Sequence, residues 1–188
     1  MNKYNIDRKT LIFSPDFEKG ESIKVYDERN ILFYDSDWAS RFKGLFFLPK
    51  GIYFCENELS RSRAKLKRPK IIMPRRERNL NHNWKDFNIE FGNNPNKCSI
   101  YHNKKLILFD KSFENRPMYQ LAFMIYHEKG HNYYSTEKFA DMYAVRQMLN
   151  IGYNPSQIVR APLVTLSDKS NDRKNYILNK FVKYYNNE

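Results

Sequence analysis

An α+β fold is predicted from three features of the 188-residue chain. Short β-like runs crowd the first 110 residues. Apolar spacing then changes from strand-like to helical after Asp110. Only 6 Gly and 8 Pro occur, too few for a turn-rich barrel or a low-complexity chain. Hydrophobic residues make up 41% and aromatics 16%, enough apolar surface for a sizeable core. The expected architecture is a single domain over 1–188, with N-terminal strands followed by C-terminal helices. It is β-rich over 1–110, with a basic segment at 61–78, and helical over 111–188.

The first strands are expected at Ser22 to Tyr26, Asn30 to Tyr34, Gly44 to Leu48 and Gly51 to Cys55. Leu48-Pro49-Lys50-Gly51-Ile52 reads as a turn, because proline and glycine supply turn geometry. Asp37 to Phe42 reads as one helical turn. Pro69 and Pro74 exclude a continuous helix across the basic segment, with Ile71-Ile72-Met73 expected as a short edge strand between them. Asn79 to Lys85, which contains His82, is polar and reads as a solvated loop. Phe87 to Phe91 and Lys97 to His102 read as strands on either side of a turn at 92–96. Asn103-Lys104 reverses the chain into Leu106 to Asp110, a buried-looking strand.

Pro117 suits the first position of a helix that Gly130 ends. A second helix is expected from an N-cap at Ser135 to Asn150, stopped by Gly152. Asn154-Pro155 starts a third. In the tail, Ile177, Leu178, Phe181, Val182 and Tyr185 fall on one face of a packing helix.

Residues 127–131 read His-Glu-Lys-Gly-His. Four residues apart on a helix, His127 and His131 project from one face and can grip one zinc ion. Glu128 falls one step round, where it can take a proton from zinc-bound water. Chance produces this pattern in roughly one chain in two hundred of this length, so the spacing carries weight. A catalytic zinc needs a third protein ligand and an open position. Glu137 and Asp141, also four apart, supply the ligand and a partner for the outer nitrogen of a ligand histidine. Such acids also complement the dipole of a helix start. Tyr133, Tyr134, Tyr153 and His102 are candidate oxyanion donors, each of which also reads as a packing or surface residue.

The combination resembles the zincin superfamily of metallopeptidases. His127, Glu128 and His131 match its zinc-binding helix, and Glu137 with Asp141 is similar to the Glu-x-x-x-Asp of thermolysin-like gluzincins. That resemblance implies a third zinc ligand at Glu137 and an outer partner at Asp141. It also implies a zincin-like fold, an N-terminal mixed β-sheet followed by an active-site helix and C-terminal helices, with an edge strand above that helix, for which Leu106 to Asp110 stands in the right place. The six-residue step from His131 to Glu137 departs from the longer gluzincin insertion and is closer to the metzincin spacing. The compact form is similar to small predicted metallopeptidases of bacteria and their phages. The match covers roughly residues 106–160.

The net charge of +12 is concentrated. Arg61, Arg63, Lys65, Lys67, Arg68, Lys70, Arg75, Arg76 and Arg78 face a single acid, Glu77, within 61–78. Such a run is either a solvated loop or a surface for nucleic acid or an acidic partner. It has no interleaved aromatics for stacking single strands. The expected function is peptide or protein hydrolysis with Zn2+. The alternatives are nucleic-acid binding, or a phage structural role with a non-catalytic site. Cys55 and Cys98 form no CxxC pair and read as buried free thiols of a cytoplasmic or phage-associated protein. No run approaches the ~20 apolar residues of a membrane helix.

Overall fold

A computed structural model describes residues 1–38, 45–63, 71, 73–77 and 87–186. The fold is α+β, with N-terminal sheets followed by four C-terminal helices. The strands form three sheets rather than one. Strands β1 (Asn2–Ile6), β2 (Thr10–Phe13), β3 (Lys24–Asp27), β4 (Leu32–Asp35), β5 (Leu45–Leu48), β6 (Gly51–Cys55) and β7 (Ser60–Arg61) build two antiparallel sheets. Their orders are β1-β6-β3-β4 and β5-β2-β7. The Pro49-Lys50 turn therefore passes the chain from one sheet to the other instead of closing a hairpin between β5 and β6.

Strands β8 (Asn88–Gly92), β9 (Cys98–Tyr101) and β10 (Leu106–Asp110) make the third sheet, the only mixed one among the described residues. Its order is β8-β10-β9. Leu106 to Asp110 is therefore its central strand, with β8 parallel on one side and β9 antiparallel on the other, and not the edge expected from the sequence. The alternation Leu106-Ile107-Leu108-Phe109 buries Ile107 and Phe109 on one face, as a central strand requires. The edge on the side of the helices is β9.

Helix α1 (Met118–Gly130) lies between two hydrophobic clusters. Tyr119, Ala122 and Phe123 pack into the larger, with Ile12, Val25, Phe33, Phe46 and Leu48 of the antiparallel sheets. Leu121 packs into the smaller, with Ile107, Phe109 and Phe113. A helix covered on two sides has little amphipathic contrast, which is why α1 reads apolar nearly all round. Helices α2 (Glu137–Ile151), α3 (Pro155–Thr165) and α4 (Asn171–Asn186) complete the fold. Asn154 caps α3 and locks it to β5. Its Oδ1 accepts from Phe47 N at 2.9 Å, and its Nδ2 donates to Phe47 O at 3.1 Å. No helix among the described residues is long and apolar enough to cross a membrane.

Several boundaries differ from the sequence expectation. Pro117 occupies the N-cap of α1, one place earlier than expected. Thr136 caps α2, its Oγ1 accepting from Phe139 N. Ser135 instead donates through N and Oγ to Glu77. Strands β1 and β2 were not expected at all; β1 is largely exposed and shows no clean alternation. Ile71 and Met73 are outside any strand. The loop at 79–85 with His82, and Lys65, Lys67, Arg68, Lys70, Ile72 and Arg78, lie outside the described residues.

Candidate metal centre

The site is assembled where α1 meets the start of α2. Gly130 makes that meeting close: a Cβ there would stand 2.8 Å from Ala140 Cα and 2.9 Å from its carbonyl oxygen. No real side chain tolerates that approach, so the glycine is a packing requirement of the helix pair. Across this contact, α2 delivers Glu137 and Asp141 to the face of α1 that carries His127 and His131.

Three residues converge, the Glu137 carboxylate turning one oxygen to each imidazole. His127 Nε2 lies 3.2 Å from His131 Nε2 and 3.3 Å from Glu137 Oε2, and His131 Nε2 lies 3.4 Å from Glu137 Oε1. Four ligands held tetrahedrally at zinc's usual distances are about 3.3 Å apart. One donor atom from each of His127, His131 and Glu137 can be chosen within 4.8 Å of the others, which makes the three a candidate metal-binding group.

The outer atoms orient the donors. His127 Nδ1 donates to Asp141 Oδ1 at 2.8 Å, and Asp141 is fully buried. His131 Nδ1 faces the carbonyl oxygen of Tyr134 at 3.3 Å. An acceptor at each Nδ1 puts the proton there and leaves Nε2 free to bind a metal.

Arg173, on α4, closes the arrangement and was not expected from the sequence. Its Nε donates to Asp141 Oδ2 at 2.8 Å and its Nη2 to Asp141 Oδ1 at 2.7 Å. Its Nη1 reaches Glu137 Oε2 at 2.8 Å. The two-pronged pair gives both oxygens of the buried Asp141 carboxylate a charged donor. A signal was available: Arg173, Ile177 and Phe181 are spaced by four, so the arginine continues the buried stripe of α4.

Two opposing effects act on His127. Burial disfavours its charged form, but the hydrogen bonds and charges of Asp141 and Glu137 outweigh that and raise its pKa to about 9. Glu137 is held down to about 2, chiefly by its hydrogen bond to His127 and also by the charges of His127 and Arg173.

The group opens onto a cleft of about 390 Å³, lined also by Glu128, Asn96, Lys97, Cys98 and Ser167. Glu128 is half-buried. Burial, and secondarily the charge of Glu128, pushes the Cys98 thiol up to about 12. Cys55 is also a buried free thiol.

None of the four expected oxyanion donors lines this cleft. The Tyr134 side chain is buried and donates its hydroxyl to Pro74 O at 3.2 Å. Tyr133 lies under the Arg76 guanidinium, 4.2 Å from its ring centroid. Tyr153 lines a different cavity. His102 is exposed and packs edge-on to Phe87. In the basic segment, Arg61, Arg63, Arg75 and Arg76 are exposed, and Arg61 is 3.5 Å from Asp7.

No protein-family model, no curated protein and no solved structure matches this chain. The chemistry of the donor set therefore carries the functional reading.

Proposed function

We propose that the protein is a zinc-dependent peptidase, with His127, His131 and Glu137 as metal ligands and Glu128 as general base. The observation that carries this reading is the convergence of two imidazoles and one carboxylate, with donor atoms within 4.8 Å of one another and a second glutamate beside them in an open cleft. Two imidazoles and one carboxylate suit zinc, and three protein ligands leave a fourth position free, as catalytic zinc sites do. When bound there, zinc would activate a water and polarise a peptide carbonyl.

The chain's own residues supply the rest. Glu128 accepts the proton of the attacking water and passes it to the departing amine nitrogen as the C–N bond breaks. Asp141 holds His127 in the ligating tautomer, and Arg173 holds Asp141 and Glu137. An extended substrate would pair with β9, the edge strand, since Cys98 at its start and the preceding Asn96 and Lys97 line the cleft. The zincin resemblance supports the same assignment of His127, Glu128, His131, Glu137 and Asp141. Exposed Arg75 and Arg76 beside the α1–α2 loop favour an anionic substrate or partner.

Glu128→Gln tests the reading. Zinc should be retained and cleavage of a peptide library abolished; undiminished cleavage would remove Glu128 from the mechanism. An affinity for nucleic acid that falls steeply with salt and survives this substitution, with no cleavage by the wild type, would favour the nucleic-acid alternative.

A further inference from the structure

A second cavity, of about 320 Å³, lies on the opposite face of α1 from the metal centre. Met118, Ala122, Ile125 and Tyr126 line it from the helix, whereas Phe123, Met124, His127, Glu128 and His131 line the cleft. At 100° per residue these sets point in opposing directions. The cavity is not a substrate subsite of the metal centre, because the helix stands between them.

The walls are apolar: Phe33 and Ile52 from the sheet and Ile151 from the end of α2 face the helix residues. Tyr53 and Tyr153 line it as well, being 4% and 7% exposed. Neither phenol oxygen has a hydrogen-bond partner among the described residues, and neither is sealed from solvent, so each can meet a ligand. Burial raises the pKa of both phenols, so each remains a neutral group able to donate or accept. Two acids and two bases, Asp27, Glu28, Arg29 and Lys50, also line the cavity. Their formal charges cancel, and Asp27 pairs with Arg29 at 3.4 Å.

We infer that this cavity is a binding site for an uncharged ring compound bearing one oxygen, with the ring against Phe33, Ala122 and Ile125 and the oxygen at Tyr53 and Tyr153. The volume is at the lower end of small-molecule sites and suits a ligand of about 10–15 non-hydrogen atoms. A few polar groups in an apolar enclosure are what such sites use to fix orientation.

The test uses three probes of similar size: 1-tetralone, tetralin and the 1-naphthoate anion, each titrated into the 188-residue protein. Binding is read from NMR shifts of the Ala122, Ile125 and Ile151 methyl groups. The inference predicts saturable shifts with 1-tetralone, and roughly fivefold weaker binding of tetralin, the worth of about one net hydrogen bond. It predicts no saturation with 1-naphthoate. In Tyr53→Phe/Tyr153→Phe, a change that keeps the ring volume, the advantage of 1-tetralone over tetralin should vanish. Ala122→Phe should abolish shifts with every probe. The inference is overturned if 1-tetralone gives no saturable shifts at these methyl groups, or if the double Phe variant keeps the full preference. Preferred binding of 1-naphthoate would equally overturn the assignment to a neutral ligand.

Discussion

Arg173 joins Asp141 by two parallel hydrogen bonds of 2.8 and 2.7 Å, and its third nitrogen reaches Glu137. One side chain on α4 thereby fixes both carboxylates that α2 sends to the candidate metal centre. The fork geometry matters: a lysine ammonium could neutralise Asp141 but could not hold both its oxygens and Glu137 in register.

Removing the arginine should therefore be costly in two ways. Arg173→Met leaves buried Asp141 with His127 as its remaining partner and should destabilise the metal-free protein by about 1–3 kcal/mol, read from urea unfolding. Arg173→Lys should cost less stability, yet weaken zinc binding roughly 10-fold or more, as loss of an outer partner does. Zinc competition with a chelating dye separates the two effects. Equal zinc affinity in wild type and Arg173→Lys would show that the arginine does not position the ligands.

Gly130 gives a prediction of opposite sign to helix propensity. Alanine inside a helix is favoured over glycine by about 1 kcal/mol. Here its Cβ would collide with the Ala140 backbone. Gly130→Ala should instead destabilise the fold by about 1–3 kcal/mol and loosen zinc binding, because α2 must shift and carry Glu137 and Asp141 with it. A stabilised variant, by thermal unfolding, would contradict the close helix contact.

Much of this centre was legible in the sequence because its donors are local. His127 and His131 share one helix face, Glu137 and Asp141 share another, and a four-residue step fixes each pair wherever a helix forms. Pairings between distant segments carry no such mark. Leu106 to Asp110 has the composition of a buried strand, but nothing in its residues says that β8 returns in parallel on one flank and makes it central. Arg173 lies 32 residues beyond Asp141, and only its place in line with Ile177 and Phe181 hints at burial. Tyr133, Tyr134 and Tyr153 were plausible oxyanion donors by proximity in the chain, but the turn after α1 sends Tyr134 toward Pro74 and the end of α2 sends Tyr153 to the far side of α1. Ser135 lost the N-cap to Thr136 because Glu77, from another part of the chain, takes its hydroxyl.

Metal binding should release a proton. The metal-free site raises His127 to about 9, so at pH 7 the imidazole is charged and must give up its proton to bind a cation. Calorimetry in buffers of different ionisation enthalpy should show about one proton released per zinc at pH 7. Affinity should rise about tenfold per pH unit in this range and level off above pH 9. No proton release at pH 7 would contradict the coupling of His127 to Asp141 and Glu137. For the metal-free fold the sign is reversed. A pKa raised above its unfolded value stabilises fully below about 6.5, and that contribution is lost as the pH rises through 9. The lowered pKa of Glu137 contributes above about 4.5 and is lost as the pH falls toward 2.

Cys98 lines the cleft, yet burial keeps its thiol protonated. It should react with iodoacetamide far more slowly than an unfolded control at pH 8, because the thiolate is the nucleophile. Rapid labelling of the folded protein would show that the cleft wall is more open than described.

The most direct test of the central claim is elemental analysis for zinc, on protein purified without a metal-affinity tag. Wild type and Glu128→Gln should each carry about one zinc per chain, the number that one set of three ligands can hold, and Glu137→Ala should lose most of it. Absence of zinc from the wild type after reconstitution, or undiminished zinc in Glu137→Ala, would contradict the assignment of His127, His131 and Glu137 as its ligands.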